Sequence, residues 1–222
     1  MSCYHRKVRP LIIAGIALAT TACGLGSAPP PPDLPPWKML KDGSGVEVRV
    51  LEKTPYTYLY ALDGTLRQIN LDSNGDRKPD VFAYFSGRNT PDRLEIDENH
   101  DGKLDRWEEY NPEGVMLRFA TSAKGGRPDR FAEVDPATKA TIRVETDADH
   151  DGKRERVEVF ERGRLSRAEI DTDGDGKRDR VQSWTDGKLT SEEIDRDGDG
   201  RPDIRILHTK TGAISKVEPI GK

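Results

Sequence analysis

The chain has 222 residues, 33% of them hydrophobic and 34% charged, so it can fold but has few apolar side chains for one large globular core; thin burial of this kind points to repeats. Its formal charge is −4, and its 36 basic residues are interspersed with 40 acidic ones, which argues against the basic stripe of a nucleic-acid binder. Both cysteines, Cys3 and Cys23, lie near the start of the chain, which leaves the body without disulfides or a thiolate metal site.

Residues 1–22 read as a signal peptide. Arg6, Lys7 and Arg9 precede an apolar run from Leu11 to Ala19, the usual order of such a leader and too short to span a bilayer. The run ends in Thr20-Thr21-Ala22-Cys23-Gly24, which resembles a bacterial lipobox, in which small residues precede a cysteine that is diacylated and becomes the mature N-terminus. Thr20 stands where that motif prefers leucine. The resemblance implies lipidation of Cys23, loss of Cys3 with the leader, and an exported protein held to the membrane by its lipid. Position 24 is not aspartate, so by analogy with enteric sorting the destination is the outer membrane of the cell envelope. Residues 23–40 then form the lipidated cysteine and a tether, because the Gly/Ser and Pro-rich stretch from Gly24 to Pro36 has no periodicity.

Residues 41–65 are expected to form an N-terminal β cap, since Val46–Leu51 and Tyr56–Tyr60 alternate in strand fashion. Residues 66–212 hold six similar segments that begin at Asp72, Asp97, Thr121, Asp147, Asp171 and Asp195, a period of about 24 residues. Short alternating runs flank each start, such as Leu165–Ile170 before and Val181–Trp184 after the fifth, too short for typical helices. Glycine turns at Asp63-Gly64, Ser86-Gly87, Glu113-Gly114, Arg162-Gly163, Asp186-Gly187 and Thr211-Gly212 close the other side. The expected fold is therefore all-β, a meander or solenoid-like array of tandem antiparallel β-hairpin repeats, with residues 213–222 as a C-terminal strand or tail. Aromatics at Phe82, Trp107 and Phe131, and again at Phe85, Tyr110, Phe160 and Trp184, are expected to stack into one shared core. Arg106, Arg130, Arg156 and Arg180 are expected to pair across strands with Glu95, Glu145, Glu169 and Glu193.

Five of the six segments carry acidic or amide residues at positions 1, 3, 5 and 9. These are Asp72, Asn74, Asp76 and Asp80; Asp97, Asn99, Asp101 and Asp105; and Asp147, Asp149, Asp151 and Glu155. The series continues with Asp171, Asp173, Asp175 and Asp179, then Asp195, Asp197, Asp199 and Asp203. Calcium takes six to eight hard oxygen ligands, and a sharp glycine bend at position 6 helps wrap a short loop round it. Gly102, Gly152, Gly176 and Gly200 hold that position, whereas Arg77 holds it in the first loop, where a weaker or distorted site is expected. Asp, Asn and Gly also make good turns, but turn chemistry does not demand acids at four fixed offsets in five loops. In the third segment Thr121, Ala123 and Gly125 replace the ligands while Asp129 is kept, so that unit is expected to keep the hairpin without the ion.

The loops resemble those of FG-GAP β-propeller repeats and thrombospondin type 3 repeats, in which positions 1, 3, 5 and 9 supply side-chain ligands to calcium. The likeness covers only the loops between residues 72 and 203 and neither family's other hallmarks. EF-hands and dockerins fit poorly, because position 12 is Ala83, Glu108, Glu158, Gln182 or Ile206 and a glycine turn follows. Removing the leader's three basic residues leaves a charge of −7, and five calcium ions would bring it to +3, so metal is expected to be coupled to folding. His100 and His150, at loop position 4, are expected to point to solvent. No catalytic motif stands out, and an enzyme is not expected. The reading is a calcium-binding, lipid-anchored envelope protein, structural or adhesive, that contacts another envelope protein or a glycan; the alternative is a partner-binding assembly factor of an outer-membrane complex with structural calcium.

Overall fold

The computed structural model describes residues 38–42 and 44–221. The expected signal peptide, Cys23 and the expected tether up to residue 37 lie outside these described residues. The first strands are β1 (Lys38–Lys41), β2 (Glu47–Lys53), β3 (Tyr56–Tyr60), β4 (Leu66–Leu71), β5 (Val81–Tyr84), β6 (Arg93–Ile96), β7 (Arg106–Tyr110) and β8 (Met116–Thr121). They continue as β9 (Arg130–Val134), β10 (Thr141–Thr146), β11 (Arg156–Glu161), β12 (Arg164–Ile170), β13 (Arg180–Thr185), β14 (Lys188–Ile194), β15 (Ile204–His208) and β16 (Ile214–Pro219). All sixteen form one antiparallel sheet in chain order, an open meander of hairpins. β1 straddles the boundary drawn between tether and cap.

Because every connection reverses the chain, the six repeat loops, five of them Asp-rich, fall at one end of the strands and the glycine turns at the other. The turns set the local bend. Arg162-Gly163 and Asp186-Gly187 each place two residues at positive φ, the signature of a tight type I′ hairpin. Next to the turns, one extra residue such as Arg67, Leu117, Ser166 or Thr190 breaks the register, and such bulges add twist to a ladder.

Cross-strand neighbours line up in rows. One row runs from Ile69 through Ala83, Leu94, Glu108, Phe119, Ala132, Val144, Glu158, Ala168 and Gln182 to Glu192. Its small and aliphatic members are buried, and so are Glu108 and Glu192. Burying a carboxylate unpaired is costly, and both are paired. Glu108 accepts from the Arg106 Nε and the Tyr110 hydroxyl, and Glu192 from Arg180, Gln182 and His208. Burial works against the Glu192 charge, but the hydrogen bonds from Gln182, Arg180 and His208 outweigh it and hold the carboxyl below its ordinary range. Burial pushes Tyr110 well up, helped by its bond to Glu108.

Two expectations need correction. The arginines do not meet Glu95, Glu145, Glu169 and Glu193, which lie opposite Trp107, Phe131 and Val181. Arg106, Arg156 and Arg180 pair instead with Glu108, Glu158 and Glu192, because adjacent residues of a strand point to opposite faces. The same parity divides the aromatics. Phe85, Tyr110, Phe160 and Trp184 share the face of the buried row, whereas Phe82, Trp107 and Phe131 stand on the opposite face, half-buried.

Candidate metal centres

Every loop is closed by the same bond. The carboxylate at position 9 accepts the amide of position 2: Asp80 from Ser73 at 2.7 Å, Asp105 from Glu98 at 3.0 Å, Glu155 from Ala148 at 2.6 Å, Asp179 from Thr172 at 2.7 Å and Asp203 from Arg196 at 2.8 Å. Within the fifth and sixth loops the position-1 carboxylate also accepts the amides of positions 4 and 6. Asp171 takes those of Gly174 and Gly176 at 2.8 and 2.7 Å, and Asp195 those of Gly198 and Gly200 at 2.9 and 2.7 Å. Positions 3 and 5 each accept the amide two residues on, as Asp175 does from Lys177 at 2.7 Å. These are turn bonds of the Asx type. A carboxylate has about four lone-pair sites, so such bonds orient the group without exhausting it.

The loops differ in what they gather. In the fourth, Asp147, Asp149, Asp151 and Glu155 each bring an oxygen within 4.8 Å of the others. In the fifth Asp171, Asp173 and Asp179 do so, and in the sixth Asp195, Asp197 and Asp199; Asp175 and Asp203 are left out of their clusters. Clusters of this kind can bind a metal ion. The first two loops, with Asn74 and Asn99 at position 3, form no such carboxylate group among the described residues. There the position-9 carboxylates have further partners: Asp80 Oδ1 lies 3.2 Å from His100 Nδ1, and Asp105 accepts the Asn99 amide nitrogens as well as that of Glu98.

Asp147 stands apart. It is 1% exposed, and its Oδ1 is buried with no hydrogen-bond partner, while Oδ2 takes Arg154 at 3.2 Å. Buried polar atoms are satisfied in the great majority of cases. An orphaned carboxylate oxygen beside three more carboxylates can therefore take a metal ion, and every side-chain donor of the cluster is oxygen.

The third loop lacks the ligand residues, as its sequence leads one to expect, but it departs from expectation in length. In the first, second and sixth loops the position-9 amide bonds the carbonyl of the residue just before position 1, namely Leu71, Ile96 and Ile194; the Asp129 amide bonds that of Thr121. Thr121 is therefore the residue before the loop, Ser122 is position 1, and the third loop is one residue short. Asp129 still closes it, accepting the Ala123 amide at 2.8 Å. Retention of Asp129 thus reflects the hairpin and not an ion.

Sequence reasoning overlooked the links between loops. Position 7 is basic throughout, as Lys78, Lys103, Arg127, Lys153, Lys177 and Arg201, and this regularity was the available signal. Arg127 donates to the His150 carbonyl at 2.8 Å, Lys153 to that of Gly174 at 2.7 Å and Lys177 to that of Gly198 at 3.0 Å, so a cation from one loop caps position 4 of the next. His100 is exposed as expected but reaches back to Asp80, and His150 is half-buried. Position 4 adopts positive φ, 60° at His100 and 67° at His150, a region that favours glycine. Arg77 at position 6 does the same, with φ 72°. Burial opposes the Asp80 charge, but Ser73 and His100 bonds outweigh it and lower its pKa; at Asp179 the Thr172 hydroxyl and amide lower it.

No family model matches the chain, and no curated protein matches it. Among solved structures, it is similar to Staphylococcus aureus TarM. One such structure is a point mutant of TarM in complex with fondaparinux, α-GlcNAc-glycerol and UDP, at 14% identity over 45% of this chain and 19% of that one, with a TM-score of 0.38. A second TarM structure gives 15% identity, the same coverage and the same TM-score. Accessory secretory protein 1, 2 and 3 of Streptococcus pneumoniae gives 15% identity over 54% of this chain and 20% of that one, with a TM-score of 0.25. The chain spans about a fifth of the length of these structures.

Proposed function

We propose that this chain is a calcium-binding protein of the bacterial cell envelope, anchored by lipid at Cys23, with a structural or adhesive role. The observation that carries the metal reading is the buried, unpartnered Asp147 Oδ1 within a cluster of four carboxylates. Asp147, Asp149, Asp151 and Glu155 would hold the first ion, and the clusters of the fifth and sixth loops the next two. Calcium suits the donors, which are oxygen throughout, and the glycine bend at position 6. Bound there, it would supply positive charge that neutralises each loop and stiffens the end of the sheet. The lipid anchor rests on the Cys23 motif alone. Calorimetric titration of the full chain tests the metal reading. About three ions are expected at the 10⁻⁴ to 10⁻³ M affinity typical of extracellular modules, with a rise in melting temperature that EGTA reverses. A melting curve indifferent to both calcium and EGTA rejects it. Metabolic labelling with a radioactive fatty acid, lost in Cys23→Ser, tests the anchor.

A further inference from the structure

The face of the sheet opposite the buried row has one break in a repeating row. Two residues ahead of each repeat loop stand Asn70, Glu95, Ala120, Glu145, Glu169 and Glu193. The third hairpin alone puts a methyl group where the others put a longer polar side chain. Ala120 lies directly opposite Trp107 on one neighbouring strand and Phe131 on the other. Strands two apart are separated by about 9.6 Å, so a slot floored by Ala120 opens between the two aromatic side chains. It belongs to an open cleft of about 410 Å³.

The row beside it is zwitterionic. Arg93, Glu109, Arg118, Glu133 and Arg143 are consecutive cross-strand partners over five strands. The guanidiniums there already have carboxylates: Arg118 holds Glu109 at 3.0 Å, Arg143 holds Glu145 at 2.8 Å and Arg93 holds Glu95 at 3.3 Å. From the fourth loop, Arg154 stacks over Phe131 at 3.8 Å and lies 3.7 Å from Glu145. An anion arriving here meets cations that are compensated. A neutral ligand with many hydroxyls can accept from the guanidiniums and donate to the carboxylates together, while its apolar face lies against the aromatic walls.

We propose that this slot binds a neutral saccharide, with Trp107 and Phe131 as stacking walls and the Arg118, Glu133 and Arg143 row as the hydrogen-bonding rim. The proposal rests on the adhesive side of the function given above and names its ligand class. In the other hairpins a longer side chain fills the equivalent place, Asn70 in the first and glutamate elsewhere; with alanine, the third is open, and it is also the hairpin whose loop has lost its metal ligands.

The test is titration of the full chain with N-acetylchitotriose, cellotriose and maltotriose, and with trigalacturonate as an anionic counterpart, each in calcium and in EGTA. Tryptophan emission and calorimetry are the readouts. At least one neutral trisaccharide is expected to bind and shift the emission. Ala120→Glu, which restores the residue most other hairpins carry, is expected to weaken binding about tenfold or more with melting temperature and calcium stoichiometry unchanged; Trp107→Ala is expected to abolish the emission change. Binding of trigalacturonate alone, binding of no neutral sugar, or undiminished binding by Ala120→Glu overturns the proposal. If sugar binds and Ala120→Glu removes it while calcium never binds, the metal reading fails and the slot stands. If calcium binds and no neutral sugar does, the slot fails and the metal reading stands.

Discussion

The third and fourth loops sit side by side at one end of the sheet and are closed by the same bond, yet the fourth gathers four carboxylates and the third has only the closing Asp129. Their difference separates two jobs that the motif merges. Position 9 belongs to the hairpin, because Asp129 persists in a loop that has lost one residue and the other acids. Positions 1 and 3 are candidate metal ligands in all three clusters, joined by position 5 in the fourth and sixth loops, and position 9 adds its carboxylate to the clusters of the fourth and fifth. In the third loop position 1 is Ser122, whose hydroxyl is buried without a partner, and in the fourth it is Asp147, whose Oδ1 is likewise buried and alone. A hydroxyl tolerates the lack of a partner at modest cost, whereas a carboxylate in the same place calls for a cation.

The largest effect should come from Asp147→Asn. It removes one charged ligand of the fourth loop, so calorimetry should find one ion fewer. The stabilisation that ion supplies, about 2.7 kcal/mol when calcium is at a hundredfold excess over Kd, should vanish from the melting curve in calcium and leave the curve in EGTA little changed. Ser122→Asp in the third loop is the counter-test, and it should create no site, because the loop lacks a residue. A new ion bound by that variant would break the distinction between the two loops. Next in size, Asp129→Ala removes the closing bond of the third hairpin. It should lower stability by about 1 kcal/mol, equally in calcium and in EGTA, as measured by urea unfolding.

The contrast also marks what the sequence could disclose. Hairpin spacing follows from turn residues and strand length, both local, so the alternation of Asp-rich loops and glycine turns was legible from Leu66 onward. Loop chemistry was legible at positions 1, 3, 5 and 9. The frame of the third loop was not, because Thr121 resembles a lost ligand until the Asp129 amide is seen to meet its carbonyl. The face of each aromatic is also legible, from parity. Phe82 and Phe85 differ by an odd number of residues, and so do Trp107 and Tyr110, which places them on opposite sides of a pleat. Contacts between loops could not be read locally, since Arg127 and His150 are joined only when two strands lie between them in register.

Arg127 joins the two loops and gives a smaller effect with two signs. Its side chain is exposed, donates to the His150 carbonyl at 2.8 Å and stands 3.8 Å from Asp147 Oδ2. Removing it in Arg127→Ala should reduce stability by at most about 0.5 kcal/mol, since exposed pairs contribute little. The same change withdraws a positive charge from the fourth cluster, so calcium should bind there a few-fold more tightly. Weaker calcium binding by this variant would mean that Arg127 positions the loop more than it competes with the ion.

The smallest effect concerns acid. In the fifth loop position 2 is Thr172, which gives Asp179 both a hydroxyl and an amide bond, whereas in the third loop Ala123 offers Asp129 an amide alone. The Thr172 bonds hold the Asp179 carboxyl below its ordinary 3.8. Its folded value is thus below its unfolded one, so the stability it contributes is complete above the unfolded value and is lost as pH falls through the folded one. Thr172→Ala should therefore raise the Asp179 titration midpoint toward the ordinary value, as followed by carboxyl-carbon NMR, and move the last part of acid unfolding to slightly higher pH. It leaves the amide bond in place and makes the fifth loop resemble the third at that position, so the hairpin should remain closed at neutral pH. An unchanged Asp179 midpoint would show that the amide, common to both loops, accounts for the whole shift.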